Sequence, residues 1–149
     1  MFVHTTARNL PDQRTLVAAF GGQLGTAENP VTGWAHALAE LHRQRQLDPL
    51  AAAGIDCRRA ELVATLDNWV VEHVPHRQAT AHIHAQSVGA TIDRMAAAHV
   101  HASHLLYTAE QVSDARVHAA WYRLALIADE WTDLLLGAAR ERVRGRRPA

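Results

Sequence analysis

On a helical wheel at about 100° per residue, the apolar residues of this chain gather into four long stripes. Between about Thr32 and Leu47, Trp34, Leu38 and Leu41 share one face. From Pro49 to about Val74 the stripe is Ile55, Leu62, Leu66, Trp69 and Val70, with Gly54 a weak spot in the first turns. From about Gln78 to Tyr107 it runs Val88, Ile92, Met95 and Leu106. From about Ser113 to Arg142 it runs Val117, Trp121, Leu124, Trp131 and Leu135. Each pattern predicts an amphipathic helix, the last two exceeding about seven turns. No segment shows strand alternation bounded by hairpin turns, so sheet content is expected to be near zero.

Breakers and caps divide the stripes. Asp48-Pro49 reads as the N-cap and first residue of a new helix, and Pro75 ends that helix. A shorter helical segment, Pro11 to Phe20, is closed by Gly21 and Gly22, precedes a Gly/Asn/Pro loop to Pro30, and is expected to be peripheral. The prediction is an all-α fold, an antiparallel up-down four-helix bundle with a short N-terminal helix. The expected division is an N-terminal extension over residues 1–30, the bundle over 31–142 and a disordered basic tail over 143–149. Tyr122, Leu126 and Leu136 lie off the main stripe of the last helix and widen its apolar surface. A monomeric bundle would leave them in water, so they are expected to form the interface of a homodimer.

Composition narrows the setting. The 149 residues suit one domain, and 48% hydrophobic with 20% charged residues is an ordinary globular balance. A formal net charge of zero gives no global attraction to nucleic acid or an acidic membrane. All fifteen basic residues are arginine, and five of them lie between Arg140 and Arg147. Without an aromatic platform or a helix-turn-helix pattern they read as a solvated helix end, and no nucleic-acid partner is expected. The single Cys57 and an N-terminus without an apolar run point to the cytoplasm, and no window is apolar enough for a membrane span.

The most conspicuous chemistry is RMAAAHVHASHLL, residues 94–106, with three histidines in six residues. Helical geometry divides them: His99 and His101 point about 200° apart and cannot share an ion. His101 and His104 lie together on the polar face, where solvent is expected. With no Glu-x-x-His or His-Glu-x-x-His element, neither metal nor other cofactor is expected. His36 and Glu40 read as a solvated pair, and Cys57 lies off its stripe without a base beside it.

Arg45, Arg59, His84 and His99 fall within or beside the apolar stripes. Buried charges must be partnered, so one reading pairs them with Asp56, Asp93 or Glu130 in a core network. The other reading is an interhelical pocket in which arginine forks hold a small anionic ligand, with His42 or His99 as general base in a catalytic version. On the second reading the ligand-binding set is His42, Arg45, Asp56, Arg59, Asp93 and His99.

The run Gln86-Ser-Val-Gly-Ala-Thr-Ile-Asp-Arg-Met95 resembles the Glu-Thr-x-Gly-x-x-Ile-Asp-Arg-Leu segment of a bacterial family known as domain of unknown function 4254. Leu41-His42 is similar to the Leu-His of that family's first long helix. The segment Ile55 to Asp67 looks like the actinobacterial form of its Ile-Asp…Ile-Asp helix. The resemblance covers roughly Trp34 to Arg142. Gln86 stands where the family pattern has glutamate, and Arg59 where many relatives carry an amide. The resemblance implies an all-helical fold in a bacterial cytoplasm and brings no activity with it.

Overall fold

Most of the helices begin where the side chain just before them takes up a free N–H group. A computed structural model describes residues 10–25, 29–74, 87–111 and 113–145, with side chains through residue 136. It contains helices α1 (Gln13–Phe20), α2 (Pro30–Leu47), α3 (Ala52–His73), α4 (Val88–Thr108) and α5 (Ala115–Gly145). The Asp12 carboxylate accepts from Thr15 N–H, the Asn29 amide oxygen from Val31 N–H, and Ser87 Oγ from Ala90 N–H. Pro30 occupies the first turn of α2, where its missing N–H costs nothing. Asp48 closes α2, and its side chain caps no N–H of the next turn; Pro49–Ala51 form a short 3₁₀ turn that leads into α3.

The four long helices pack as an antiparallel bundle around α4, which touches α1, α2, α3 and α5. Ile92, Met95 and Ala96 of α4 are fully buried, together with Leu38 of α2, Leu66 of α3 and Trp131 of α5. Gly89 permits the closest crossing. A Cβ placed there would lie 2.6 Å from the Val63 carbonyl oxygen and 3.1 Å from the Val63 Cα. The opening between helices is filled by backbone, so only glycine fits without pushing α3 and α4 apart.

Several sequence expectations change. The helix expected from Gln78 begins instead at Val88, because Ser87 adopts extended backbone (φ −71°, ψ 150°) and caps it. His84 and Gln86 lie outside the described residues. Leu106 was expected in the buried stripe but is 43% exposed. It lies thirteen residues beyond Asp93, which pairs with His42 on α2 and Arg59 on α3. That distance carries it past the end of α2 and the start of α3, so α4 overhangs its neighbours. On α5 the buried line is Val117, Ala120, Leu124, Ile127, Ala128 and Trp131, which leaves Trp121 at its margin, 37% exposed.

The largest correction concerns α1, which is not peripheral. Leu16, Ala19 and Phe20 are fully buried in the main core. Among the described residues α5 packs against α4 and α1 and not against α2 or α3. Helix α1 occupies the resulting space beside α2 and α4. Its end is a Schellman turn, in which Gly22 (φ 98°) lets the Gln23 N–H reach the Ala18 carbonyl. The buried Trp131 indole N–H donates to the Pro11 carbonyl at 2.9 Å and ties α5 to the start of α1.

Two glycines should therefore respond oppositely to one added methyl group. Gly89→Ala should lower stability by about 1–3 kcal/mol, since the clash is with backbone. Gly54→Ala, with nothing within 4 Å of the new Cβ, should raise it by roughly 0.5–1 kcal/mol through helix propensity. Thermal or urea unfolding of the two variants measures both.

Candidate functional site

Helical spacing assembles the polar centre. Asp56 and Arg59 stand three residues apart on α3 and so share a face. Asp56 and Asp67 are eleven residues apart, about three turns, so both face the same way. Gly89 and Asp93 do the same one turn apart on α4. Helix α2 brings His42 from the opposite side.

Asp93 is the hub. Its Oδ1 lies 2.8 Å from His42 Nε2, and it accepts from Arg59 Nε at 3.1 Å. Its Oδ2 accepts from Arg59 Nη2 at 2.7 Å, which completes a bidentate fork. The remaining Arg59 nitrogen, Nη1, donates to Asp56 Oδ1 at 2.7 Å. Arg45 then forks onto Asp56, Nε to Oδ1 at 3.1 Å and Nη2 to Oδ2 at 3.3 Å. The chain of contacts runs from the interior outwards: side-chain exposure is 13% at Asp93, 24% at Arg59 and 48% at Arg45. Burial pushes the Asp93 carboxyl up, but the hydrogen bonds and charges of His42 and Arg59 outweigh it and hold the group below its ordinary value. The Asp93 hydrogen bonds likewise raise Arg59, against the opposing effect of burial.

Five of the six ligand-set residues, His42, Arg45, Asp56, Arg59 and Asp93, thus come together. Arg45 was expected to aim inwards and lies at the surface, because α2 ends two residues later and Asp56 is itself half exposed. His99 makes no hydrogen bond to this group. Its ring packs on Phe20 at 5.6 Å, and its buried Nδ1 has no partner among the described residues. Burial first, and the charge of Arg43 second, depress its pKa. Arg43 donates to the Phe20 carbonyl at 2.6 Å and to Glu40, which joins α2 to the end of α1. Glu40 is therefore taken by Arg43, and His36 is not a solvated partner for it: its Nδ1 is buried and unpaired among the described residues.

Asp67 was missed as a participant. Its Oδ1 accepts the Gly89 N–H at 2.8 Å and so caps α4 from α3. The eleven-residue spacing from Asp56 was the available signal. Glu130 meets Arg94 at 3.2 Å and stays outside the network. His101, His104 and Cys57 are exposed. Among the described residues, no three His, Cys, Asp or Glu side chains are placed to hold a metal ion, and no helix is long and apolar enough to cross a membrane. A shallow groove between α2 and α3, which includes Gln44, Arg58, Glu61 and Thr65, contains none of the network residues.

The fold and this centre define an all-helical bundle protein whose middle helices are pinned by a chain of ion pairs. The chain belongs to the family described as "Protein of unknown function (DUF4254)", whose model matches residues 40–140. No curated protein and no solved structure matches it. The matched region contains His42, Asp56, Arg59, Asp67, Gly89 and Asp93, the residues that join α2, α3 and α4.

Removal of the hub should be costly. Asp93→Asn leaves Arg59 and His42 without their anion and should destabilise the protein by about 3 kcal/mol in urea unfolding. Acid should act in two stages. The depressed His99 contributes stability that is complete above its ordinary value of 6.5 and is lost as pH falls from there towards the folded-state value. The depressed Asp93 contributes stability that is present above its ordinary 3.8 and is lost as pH falls further. Unfolding free energies measured from pH 8 to 3 should show the first decline vanish in His99→Leu and the second weaken in Asp93→Asn.

Proposed function

We propose that this protein is a non-catalytic interaction protein that works in the cytoplasm as a homodimer, paired through the open face of α5. The observation that carries this reading is the packing of α5. It is the longest helix, yet among the described residues it rests on α4 and α1 alone. Its opposite side presents Tyr122 at 68%, Leu126 at 47% and Leu136 at 50% exposure. An apolar strip on a helix otherwise anchored in the core favours burial against another surface. In a reducing compartment the exposed Cys57 would remain a thiol.

The competing reading, a small anionic ligand held between helices by Arg45, Arg59, His42 and His99, has less support. The three Arg59 nitrogens all donate to carboxylates, and Arg45 is forked on Asp56. An incoming anion would have to displace those carboxylates. His99 stands apart from them, against Phe20.

Light scattering on the purified chain should give about twice the 16.4 kDa chain mass. Leu126→Arg should weaken self-association roughly 30-fold or more while leaving helicity intact, as for a central interface residue, and its melting should lose its dependence on protein concentration. A strict monomer at high micromolar concentration would refute the proposal.

A further inference from the structure

Resting on the proposed association through α5, we infer that the partner on this helix is a second copy of the same helix running antiparallel, in one register centred between Ala125 and Leu126. The residues of the open face carry the inference. At about 100° per residue, the exposed positions Ala115, His118, Tyr122, Leu126, Asp129 and Leu136 lie along one strip opposite the buried line of Leu124 and Trp131. Their spacing is that of a heptad seam.

Turned end over end about that midpoint, the strip meets itself with matched chemistry. His118 comes opposite Asp133, an imidazole against a carboxylate. Tyr122 comes opposite Asp129, a phenol O–H against an acceptor. Ala115 comes opposite Leu136, and Ala125 opposite Leu126, so each large apolar side chain faces a methyl group and the helices can approach closely. All of these residues are exposed in the single chain. By the two-fold symmetry each pair occurs twice.

The parallel arrangement of the same two helices lacks this match. It sets Asp129 against Asp129 and Asp133 against Asp133, where like charges repel. It also sets Leu126 against Leu126 and leaves the alanines facing each other across a gap. A different protein as partner would require no such internal symmetry. The pairing of donor with acid and small with large about a single midpoint therefore favours a copy of this chain.

Spin labels test the register in the full chain with Cys57→Ser as background. Labels at Ala125→Cys should lie side by side in the dimer, about 10 Å apart and broadened in the continuous-wave spectrum. Labels at Ala115→Cys should be offset along the axis by about 32 Å, from 1.5 Å per residue. Short separations at both positions would mean a parallel dimer and overturn the register while self-association stands. Long separations at both would overturn the register, and if Leu126→Arg then left self-association unchanged the α5 reading would fall with it. Absence of any dipolar coupling would mean a monomer and would likewise overturn both. As an independent readout, His118→Asp and Asp133→His should each weaken dimerisation about tenfold, about 1.4 kcal/mol. The double variant should recover most of the loss, whereas two independent weakenings would count against the pairing.

Discussion

The Asp93 carboxylate fixes the relation of three helices. It sits on α4, is nearly buried, and has His42 of α2 on one oxygen and the Arg59 fork of α3 across both. A charge in that position must be partnered, and a slide of any one helix by a turn would move its cation away. Well-packed apolar side chains could hold three helices together with comparable net stability. What the ion pairs add is a penalty on every misaligned packing. Close approach at Gly89 and the Asp67 cap on the same turn of α4 act in the same sense, since both depend on α3 lying at one height.

Much of this was legible in periodicity. The faces carrying Leu38, Leu66, Ile92, Met95 and Trp131 were readable because a helix maps spacing directly onto direction. The same rule separated His99 from His101. Direction, however, is only half of burial. Arg45 points along a buried stripe and still reaches water, because it stands near the end of α2 against a half-exposed Asp56, and Leu106 does so as well, because it lies beyond the ends of neighbouring helices. How far elements overlap depends on tertiary register, which no single helix encodes. The break at Ser87 was hidden because the apolar spacing on its C-terminal side gives no sign of where the helix starts. Within the candidate site, Asp56 and Asp93 were readable as partners for inward cations. Which cation met which acid was not, since that depends on the relative height of three helices.

The place of α1 shows another limit. A segment of eight residues between glycines resembles an appendage when judged by length. Its importance comes from a deficiency elsewhere: α5 does not reach α2, and Leu16 and Phe20 supply the missing apolar surface. The same deficiency leaves the far side of α5 without a neighbour among the described residues. The bundle is thus asymmetric, closed on one side by its N-terminal helix and open on the other.

The indole of Trp131 donates to the carbonyl of Pro11, a contact across 120 positions of the chain. During synthesis helix α1 is made well before the tryptophan that tethers it. Until Trp131 has been made, Leu16 and Phe20 lack part of their final cover. The contact between α1 and α5 is thus a long-range closure, and it carries the entropic cost of the 120-position loop it completes.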